Sequence, residues 1–405
     1  MPWSEGPRLR WRRLLQWMER QQLDMVVLGS QKNIYYITGY ITARIFMPAY
    51  LFVPIDGEPF LVTGKSDSEQ AAKTFGGEIV EYVNYNLDNV MSAASDVYKR
   101  QTFGGEIVEY VNYNLDNVMR PYPIHGVEAA VKTLRSRQPK IRKLGYEGWA
   151  LDAVILHEML KMYPTAEFTD VSENILLMRK SKDEDELQNL REAAKLNDYA
   201  YRVAKENATV GRSEAELYTI IHSELVKKKS GFQFFSGDFV SGERCLQIGG
   251  PPTNRRLQMG ETLILDLWVT HQEYWSDTCR TFVVGSVPSA LQKKVFEVLK
   301  EALKAGEAAL KPGATGSDVY RAVYGAIDRH GYGKYFPHHA GHALGLEAWE
   351  PPYLIPGDKN IITENTVCAL EPGIYFGDVG GVRLENNYVV KRGGVEVLNE
   401  FPLDP

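Results

Sequence analysis

From residue 174 onward the chain alternates twice between a pair of amphipathic helices and a strand-rich stretch, an order that restricts the fold of this half more than any other feature. The first pair is read at LLMRKSKDEDELQNLREAAKLNDYAY, taken as one long helix, and at LYTIIHSELV. Ser181 and Glu184 have capping-box spacing, as do Ser213 and Glu216, and Leu187, Leu190 and Ala194 continue an inward stripe. The second pair is read at LQKKVFEVLKEALKAGEAAL and SDVYRAVYGAIDRHG. Helices with one apolar stripe and strands with one apolar face must cover each other. The expected product is an internally duplicated α+β domain over residues 174–405, its helices covering one face of an antiparallel sheet.

The residues before it read as a smaller α/β domain over 1–173. An amphipathic helix carrying Leu9, Leu14, Leu15 and Met18 among arginines leads into DMVVLGS, a short apolar run. NIYYITGY then reads as a buried strand and a turn. AYLFVP and PFLVT flank Ile55-Asp56-Gly57-Glu58, which predicts a hairpin closed by an Asp-Gly turn. The eighteen residues 74–91, TFGGEIVEYVNYNLDNVM, recur unchanged at 102–119. Structural repeats diverge and come in larger numbers, so the pair marks a recent duplication or an assembly scar. One copy is expected to pair as a strand and the other to bulge out as a loop, with no functional residue in either.

At 405 residues the chain exceeds what one core organises, which agrees with two domains. Its formal charge of -6 argues against a partner held through phosphates, because counterion release needs clustered Lys and Arg; nucleic acid is not expected. Cys245, Cys279 and Cys368 show no CxxC spacing, so neither a disulfide framework nor a zinc ribbon is indicated. Without an apolar stretch of signal-peptide or membrane-spanning length, a cytoplasmic location with no membrane partner is expected.

The acids of the second domain stand where acids are out of place. LILDLWVTHQEYWSDTCRTFVVG reads as two strands around a turn at His271 to Glu273, with Asp266 on one arm and Asp277 on the other. Asp is depleted in strands and costly to bury alone. The two either face water at the strand ends or share a compensating cation. PHHAGHALGLE sets His342 in a glycine-rich turn with His338 four positions earlier, and lone histidines are more often structural than ligands. VCALEPGIYFGDVGGVRLENNYVV gives two further strand-like runs, with Glu371 before Pro372-Gly373 and Glu385 fourteen positions later. One imidazole and four carboxylates form a mostly hard donor set suited to Mn, Co, Fe or Zn. Four carboxylates exceed the charge of one divalent ion. Two ions and metal-assisted hydrolysis, in which the pKa of a bound water falls to about 7, are therefore indicated.

These motifs resemble the creatinase, aminopeptidase P and prolidase family of pita-bread metallohydrolases, to which methionine aminopeptidase is also related. DLWVTHQEYWSDTCRTF, GHALGLE, LEPGIY and GVRLEN stand in that family's order and spacing, and NIYYITGY and LLMRKSKDEDELQNLREAA resemble its N-terminal domain and domain junction. The resemblance implies a C-terminal pita-bread fold, with duplicated helix pairs over a curved antiparallel sheet, behind a creatinase-like α/β domain. It implies that Asp266 binds one divalent ion, that His342 and Glu371 bind the other, and that Asp277 and Glu385 bridge them. Manganese is the expected metal, with cobalt, zinc or iron as alternatives. Glu371 is implied as general base, and Arg383, Tyr375 and His338 as residues that line or order the site. By analogy a homodimer is expected, acting on a peptide or small amide.

Two positions depart from the family. Its peptidases carry a substrate-contacting His where IGGPPTNRRL has Gly249, and a second where LEAWEPP has Trp349. Losing one such donor costs about 2.7 to 4 kcal/mol of transition-state stabilisation. Either His338 or His339 covers part of the role, or the substrate differs. Trp349 then forms an apolar or cation–π wall, against its plainer reading as a packing residue. The leading expectation is a dinuclear amide hydrolase, a Xaa-Pro aminopeptidase or dipeptidase. A creatinase-like or cyclic-amidine C–N hydrolase is second, and a non-catalytic binding module third.

Overall fold

The computed structural model describes residues 5–41, 48–82, 124–137, 140–229 and 234–405. The chain divides into two compact units, Met1–Ile175 and Leu176–Pro405.

The first unit runs α1 (Glu5–Gln21), β1 (Met25–Leu28), α2 (Gln31–Thr38), β2 (Tyr50–Pro54), β3 (Phe60–Gly64), α3 (Lys65–Ala71), β4 (Glu78–Tyr82), α4 (Ile124–Arg137), β5 (Lys143–Tyr146), α5 (Ala153–Met162) and β6 (Glu167–Asp170), and α6 (Ser172–Met178) begins at its end. The strands form one mixed sheet in the order β4-β3-β2-β1-β5-β6. Its core gathers Val27, Phe52, Phe60, Val62, Leu144 and Met159. The hairpin at Asp56-Gly57 is present, with Tyr50 opposite Val62 and Phe52 opposite Phe60. The segment NIYYIT, in contrast, is the helix α2 and not a strand. The Ser30 hydroxyl accepts from the Asn33 N–H at its start, and Gly39, at φ 71, donates to the Tyr35 carbonyl at its end. These two caps override the strand preference of the tyrosines and isoleucines. In the first copy of the duplicated segment, β4 pairs parallel with β3; the second copy lies outside the described residues.

The second unit continues with α7 (Glu184–Asn207), α8 (Glu214–Lys229), β7 (Phe235–Ser241), β8 (Thr262–His271), β9 (Tyr274–Val283), α9 (Ala290–Ala309), α10 (Gly316–Asp328), β10 (Gly341–Ala343), β11 (Glu350–Tyr353), β12 (Val367–Leu370), β13 (Gly373–Phe376), β14 (Gly380–Arg383), β15 (Asn386–Lys391) and β16 (Gly394–Val397). The expected long first helix is broken between α6 and α7. Asp183, not Ser181, caps α7, sharing a capping box with Glu186, while the Ser181 hydroxyl donates to the Glu364 carbonyl instead. Ser213 and Glu216 do form the reciprocal pair read from the sequence, at 2.7 and 3.1 Å.

Each helix pair packs on its own sheet. Tyr201, Leu217 and Ile221 of α7 and α8 meet Leu263, Leu265 and Leu267 of the β7-β8-β9 sheet. Val295, Leu299 and Leu303 of α9 and Val319 and Val323 of α10 meet Cys368, Leu370 and Tyr388 of the β11-β10-β12-β15-β16 sheet. Burying a side chain such as Leu299 or Val323 contributes about 1.5–3 kcal/mol, and these cores hold the strands that carry the acids. Among the described residues, no helix is long and apolar enough to cross a membrane, and the three cysteines are free and buried.

Candidate metal centre

The hairpin β8–β9 sets the first two acids. Its turn residues Gln272 and Glu273 both have positive φ, at 46 and 68 degrees, the combination a two-residue turn needs to match strand twist. Asp266 pairs with Cys279 and Trp268 with Asp277, so the two aspartates are diagonal neighbours on one face of the sheet. On the other side Asp238 of β7 lies directly opposite Asp266. A row of acids thus crosses three strands.

The second pair comes from a bent hairpin. Leu370 pairs with Asn386 in the β12–β15 ladder and Gly373 with Arg383 in the β13–β14 ladder. The same register runs through the bend and sets Glu371 opposite Glu385. The Glu371 N–H is anchored on the Ala340 carbonyl at 3.0 Å and the Glu385 N–H on the Cys279 carbonyl at 3.0 Å. His342 lies in the short strand β10, between β11 and β12, and not in a turn.

These five residues converge. His342 Nε2 is 3.6 Å from Asp277 Oδ2 and 3.5 Å from Glu371 Oε1. Donor atoms of Asp277, His342 and Glu385 lie within 4.8 Å of one another, as do those of Asp266, Glu371 and Glu385. All five side chains are buried. Asp277 Oδ1 and both carboxylate oxygens of Glu385 have no hydrogen-bond partner, an arrangement of buried charge that is costly without a compensating cation. Burial pushes the Asp266 carboxyl up to about 6 against the pull of Arg383. Burial and then the neighbouring carboxylates push Asp277 and Glu385 well above the usual carboxylate range. Burial works the same way on Glu371 but is outweighed by His339, whose Nδ1 lies 3.2 Å from Oε1, and by the charge of the other imidazoles, which hold it at about 2.

Histidine tautomers follow from their partners. His342 Nδ1 faces the Ala343 carbonyl at 3.0 Å, so it carries the hydrogen. Nε2 is left with its lone pair towards the acids, as a metal-ligating imidazole requires. The donor set and its orphaned oxygens therefore fit divalent cations.

Arg383, buried and fully enclosed, ties the site together. One Nη2 reaches Asp266 Oδ2 at 2.6 Å and Asp238 Oδ2 at 3.0 Å. Nη1 donates to the Tyr375 hydroxyl at 3.2 Å and the Ile248 carbonyl at 3.0 Å. Tyr375 in turn lies 2.9 Å from His338 Nε2, and His338 Nδ1 donates to the His339 carbonyl at 2.7 Å. Both nitrogens of His338 are thus occupied, and burial lowers its pKa to about 4. His339 points the other way, its Nδ1 3.2 Å from Glu371 Oε1, which raises its pKa despite burial. The Trp349 side chain is not packed away. It is 60 % exposed, with its ring 5.3 Å from that of His342 and 5.4 Å from that of His339.

Sequence reasoning missed Asp238, whose signal was the same as that of Asp266: an acid inside the strand-like run FSGDFVS. It also missed Asn387, whose side-chain oxygen accepts from the Asp277 N–H at 3.2 Å and the Ser276 hydroxyl at 3.0 Å.

Comparison with known proteins agrees with this geometry. The pattern of metallopeptidase family M24 matches residues 188–392, and that of the creatinase/prolidase N-terminal domain matches residues 10–181. A Xaa-Pro dipeptidase of Pyrococcus horikoshii is 27% identical over 391 residues, 96% of each chain. An uncharacterized peptidase of Staphylococcus aureus (strain USA300) is 29% identical over 390 residues, 95% of this chain and 97% of the relative. The crystal structure of the prolidase from Pyrococcus horikoshii OT3 superposes with a TM-score of 0.78 at 25% identity, covering 97% of this chain and 99% of that one. A Xaa-Pro dipeptidase structure from Bacillus anthracis, at 24% identity and covering 98% of each chain, gives 0.79. The fold is accordingly the pita-bread fold of the prolidases behind an N-terminal α/β domain. With its clustered buried acids, its oriented imidazole and sequence patterns along both units, the chain belongs to metallopeptidase family M24.

Proposed function

We propose that the chain is a dinuclear metal-dependent peptidase that cleaves the amide bond of Xaa-Pro substrates, as an aminopeptidase or dipeptidase. The observation that carries this reading is the set of buried, unpartnered oxygens on Asp277 and Glu385, two acids clustered with the imidazole of His342. Asp266, Asp277, His342, Glu371 and Glu385 would hold two divalent cations, manganese being favoured by the oxygen-rich donors. Charge supports more than one ion: the four ligand carboxylates and Asp238 carry five negative charges, and the Arg383 guanidinium with a protonated His339 still leaves more than one divalent ion neutralises. When bound, the ions supply Lewis acidity and acidify water.

The chain's own residues provide the rest. Glu371, kept ionised by His339, is placed to take a proton from water on Oε1 and return it to the leaving amide nitrogen. His339 Nδ1, 3.2 Å away, steadies that carboxylate in both states. Arg383 and Tyr375 fix Asp266 and His338 in place, and Trp349 offers an exposed aromatic face beside the ligands.

The exposed Trp349 and the bare Gly249 also favour a second reading, a creatinase-like or cyclic-amidine C–N hydrolase on the same scaffold. Manganese-loaded protein assayed on Xaa-Pro dipeptides, Xaa-Pro tripeptides and creatine-like amides separates the two. Turnover of proline peptides that is lost in Asp277→Asn is expected. No turnover of any proline peptide removes the peptidase reading.

A further inference from the structure

Asp238 is the most accessible carboxylate of the site. Its side chain is 21% exposed, against 8% for Asp266, 5% for Asp277 and 9% for Glu371. It projects from the same sheet face as Asp266, which it opposes across the β7–β8 ladder, and its Oδ1 accepts from the Gly250 N–H at 2.9 Å. Gly249 is what makes this placement available. A Cβ at residue 249 would lie 2.0 Å from Asp238 Oδ2, so the carboxylate occupies the space a side chain there would take. On another side of the ligands stands Trp349, a large aromatic surface open to solvent and within 5.3 Å of the His342 ring.

What these groups offer a bound molecule is one-sided. A carboxylate attracts cations and N–H donors, and an indole face attracts cations and apolar rings. Neither attracts an anion, and the cationic groups beside them, Arg383 and His339, already face carboxylates of the site. Arg383, the guanidinium paired with the ligand carboxylates, is already shared between Asp238 and Asp266 and only 3% exposed. It has no free fork for a substrate carboxylate.

We infer that Asp238 and Trp349 select substrates whose group next to the scissile bond is neutral or cationic, and select against a free carboxylate there. Resting on the peptidase reading, this makes the preferred substrates Xaa-Pro units followed by further residues or ending in an amide, with free Xaa-Pro dipeptides disfavoured. Asp238 is the specificity-determining residue, and Gly249 is its enabling partner.

The test compares alanyl-proline with alanyl-prolinamide on the manganese-loaded full chain, together with calorimetric binding of proline and prolinamide. The amide is expected to have the higher kcat/KM by about tenfold or more, the scale of one desolvated like-charge contact, with the difference mostly in KM. Asp238→Asn should shrink that ratio by lowering KM for the free acid. Gly249→Ala should do the same, because its Cβ displaces the carboxylate. Equal or better use of the free acid, or a ratio that neither variant changes, overturns the inference while leaving the peptidase reading intact. If neither compound is cleaved but prolinamide still binds better than proline in a way that Asp238→Asn abolishes, the inference stands and the peptidase reading falls.

Discussion

Glu371 stands opposite Glu385 across the bend of one long hairpin, placed there by a register that is the same on both sides of the bend, at Leu370–Asn386 and at Gly373–Arg383. Facing carboxylates in a buried hairpin repel one another, and Glu385 has no hydrogen-bond partner to offset its burial. The backbone register is kept where the electrostatics of the two carboxylates oppose it. A cation shared between the strands resolves that conflict.

Removing one of the acids should stabilise the chelator-stripped protein. Asp277→Asn is expected to raise its unfolding free energy by about 1–3 kcal/mol, because a desolvated like charge disappears. The same variant should lose most of the stabilisation that added metal gives the wild type, which amounts to about 2.7 kcal/mol at a hundredfold excess over Kd. Thermal melts with and without manganese measure both. A stripped variant less stable than the stripped wild type contradicts the account.

The stripped protein should also respond to pH in an unusual direction. Asp266 is raised from 3.8 to about 6, and Asp277 and Glu385 are raised further, so the native state binds more protons than the unfolded one in this window. Stability then falls as pH rises from about 4 through 6 and beyond. Melting temperature is expected to increase on acidification from neutral pH to about 5 in the stripped protein, and to decrease over the same range in the metal-loaded protein as protons displace the ions. Identical pH profiles for the two forms would count against the cluster being a cation site.

Glu350 tests a different kind of buried charge. Its carboxylate takes hydrogen bonds from Arg179 and, at 3.0 Å, from Lys182, all three groups being buried. Burial alone would raise its pKa, but the two cations outweigh it and hold it at about 2. That stabilisation is present above pH 4.5 and is lost as pH falls towards 2. Glu350→Gln should cost about 3–5 kcal/mol, since it removes the carboxylate that two buried cations share, as read by urea denaturation at neutral pH.

Tyr375 links Arg383 to His338. Tyr375→Phe leaves a guanidinium N–H and an imidazole lone pair without their shared partner. A loss of about 1–3 kcal/mol in stability is expected, again by denaturation. A variant as stable as the wild type would show that water replaces the hydroxyl.

Much of this site was legible in the sequence because its acids break local rules. Asp266 and Asp277 sit in runs otherwise fit for buried strands, which left water at the strand ends or a shared cation as the two readings, and their burial removes the first. The alternation of helix pairs and strands was equally visible, since capping pairs such as Ser213 and Glu216 are local. What failed was decided by competition between local signals. NIYYIT has strand-forming residues, yet Ser30 and Gly39 bracket it as a helix. Ser181 and Asp183 both offer a cap, and Ser181 found a partner at Glu364. Asp238 escaped notice because its role depends on a long-range pairing with Asp266, and the exposure of Trp349 depends on how the loop before β11 folds. Asp238 does carry the local signal of Asp266, an acid in a strand-like run, but the pairing and the exposure that give these two residues their roles are not written in a local pattern.

Metal content tests the central claim most directly. The full chain, stripped with a chelator, incubated with manganese and freed of excess by gel filtration, should retain about two ions per chain by mass spectrometry, the number of a paired hydrolytic centre. Asp277→Asn should retain fewer. A wild-type protein that comes through metal-free, or a variant that holds as much metal as the wild type, would contradict the account.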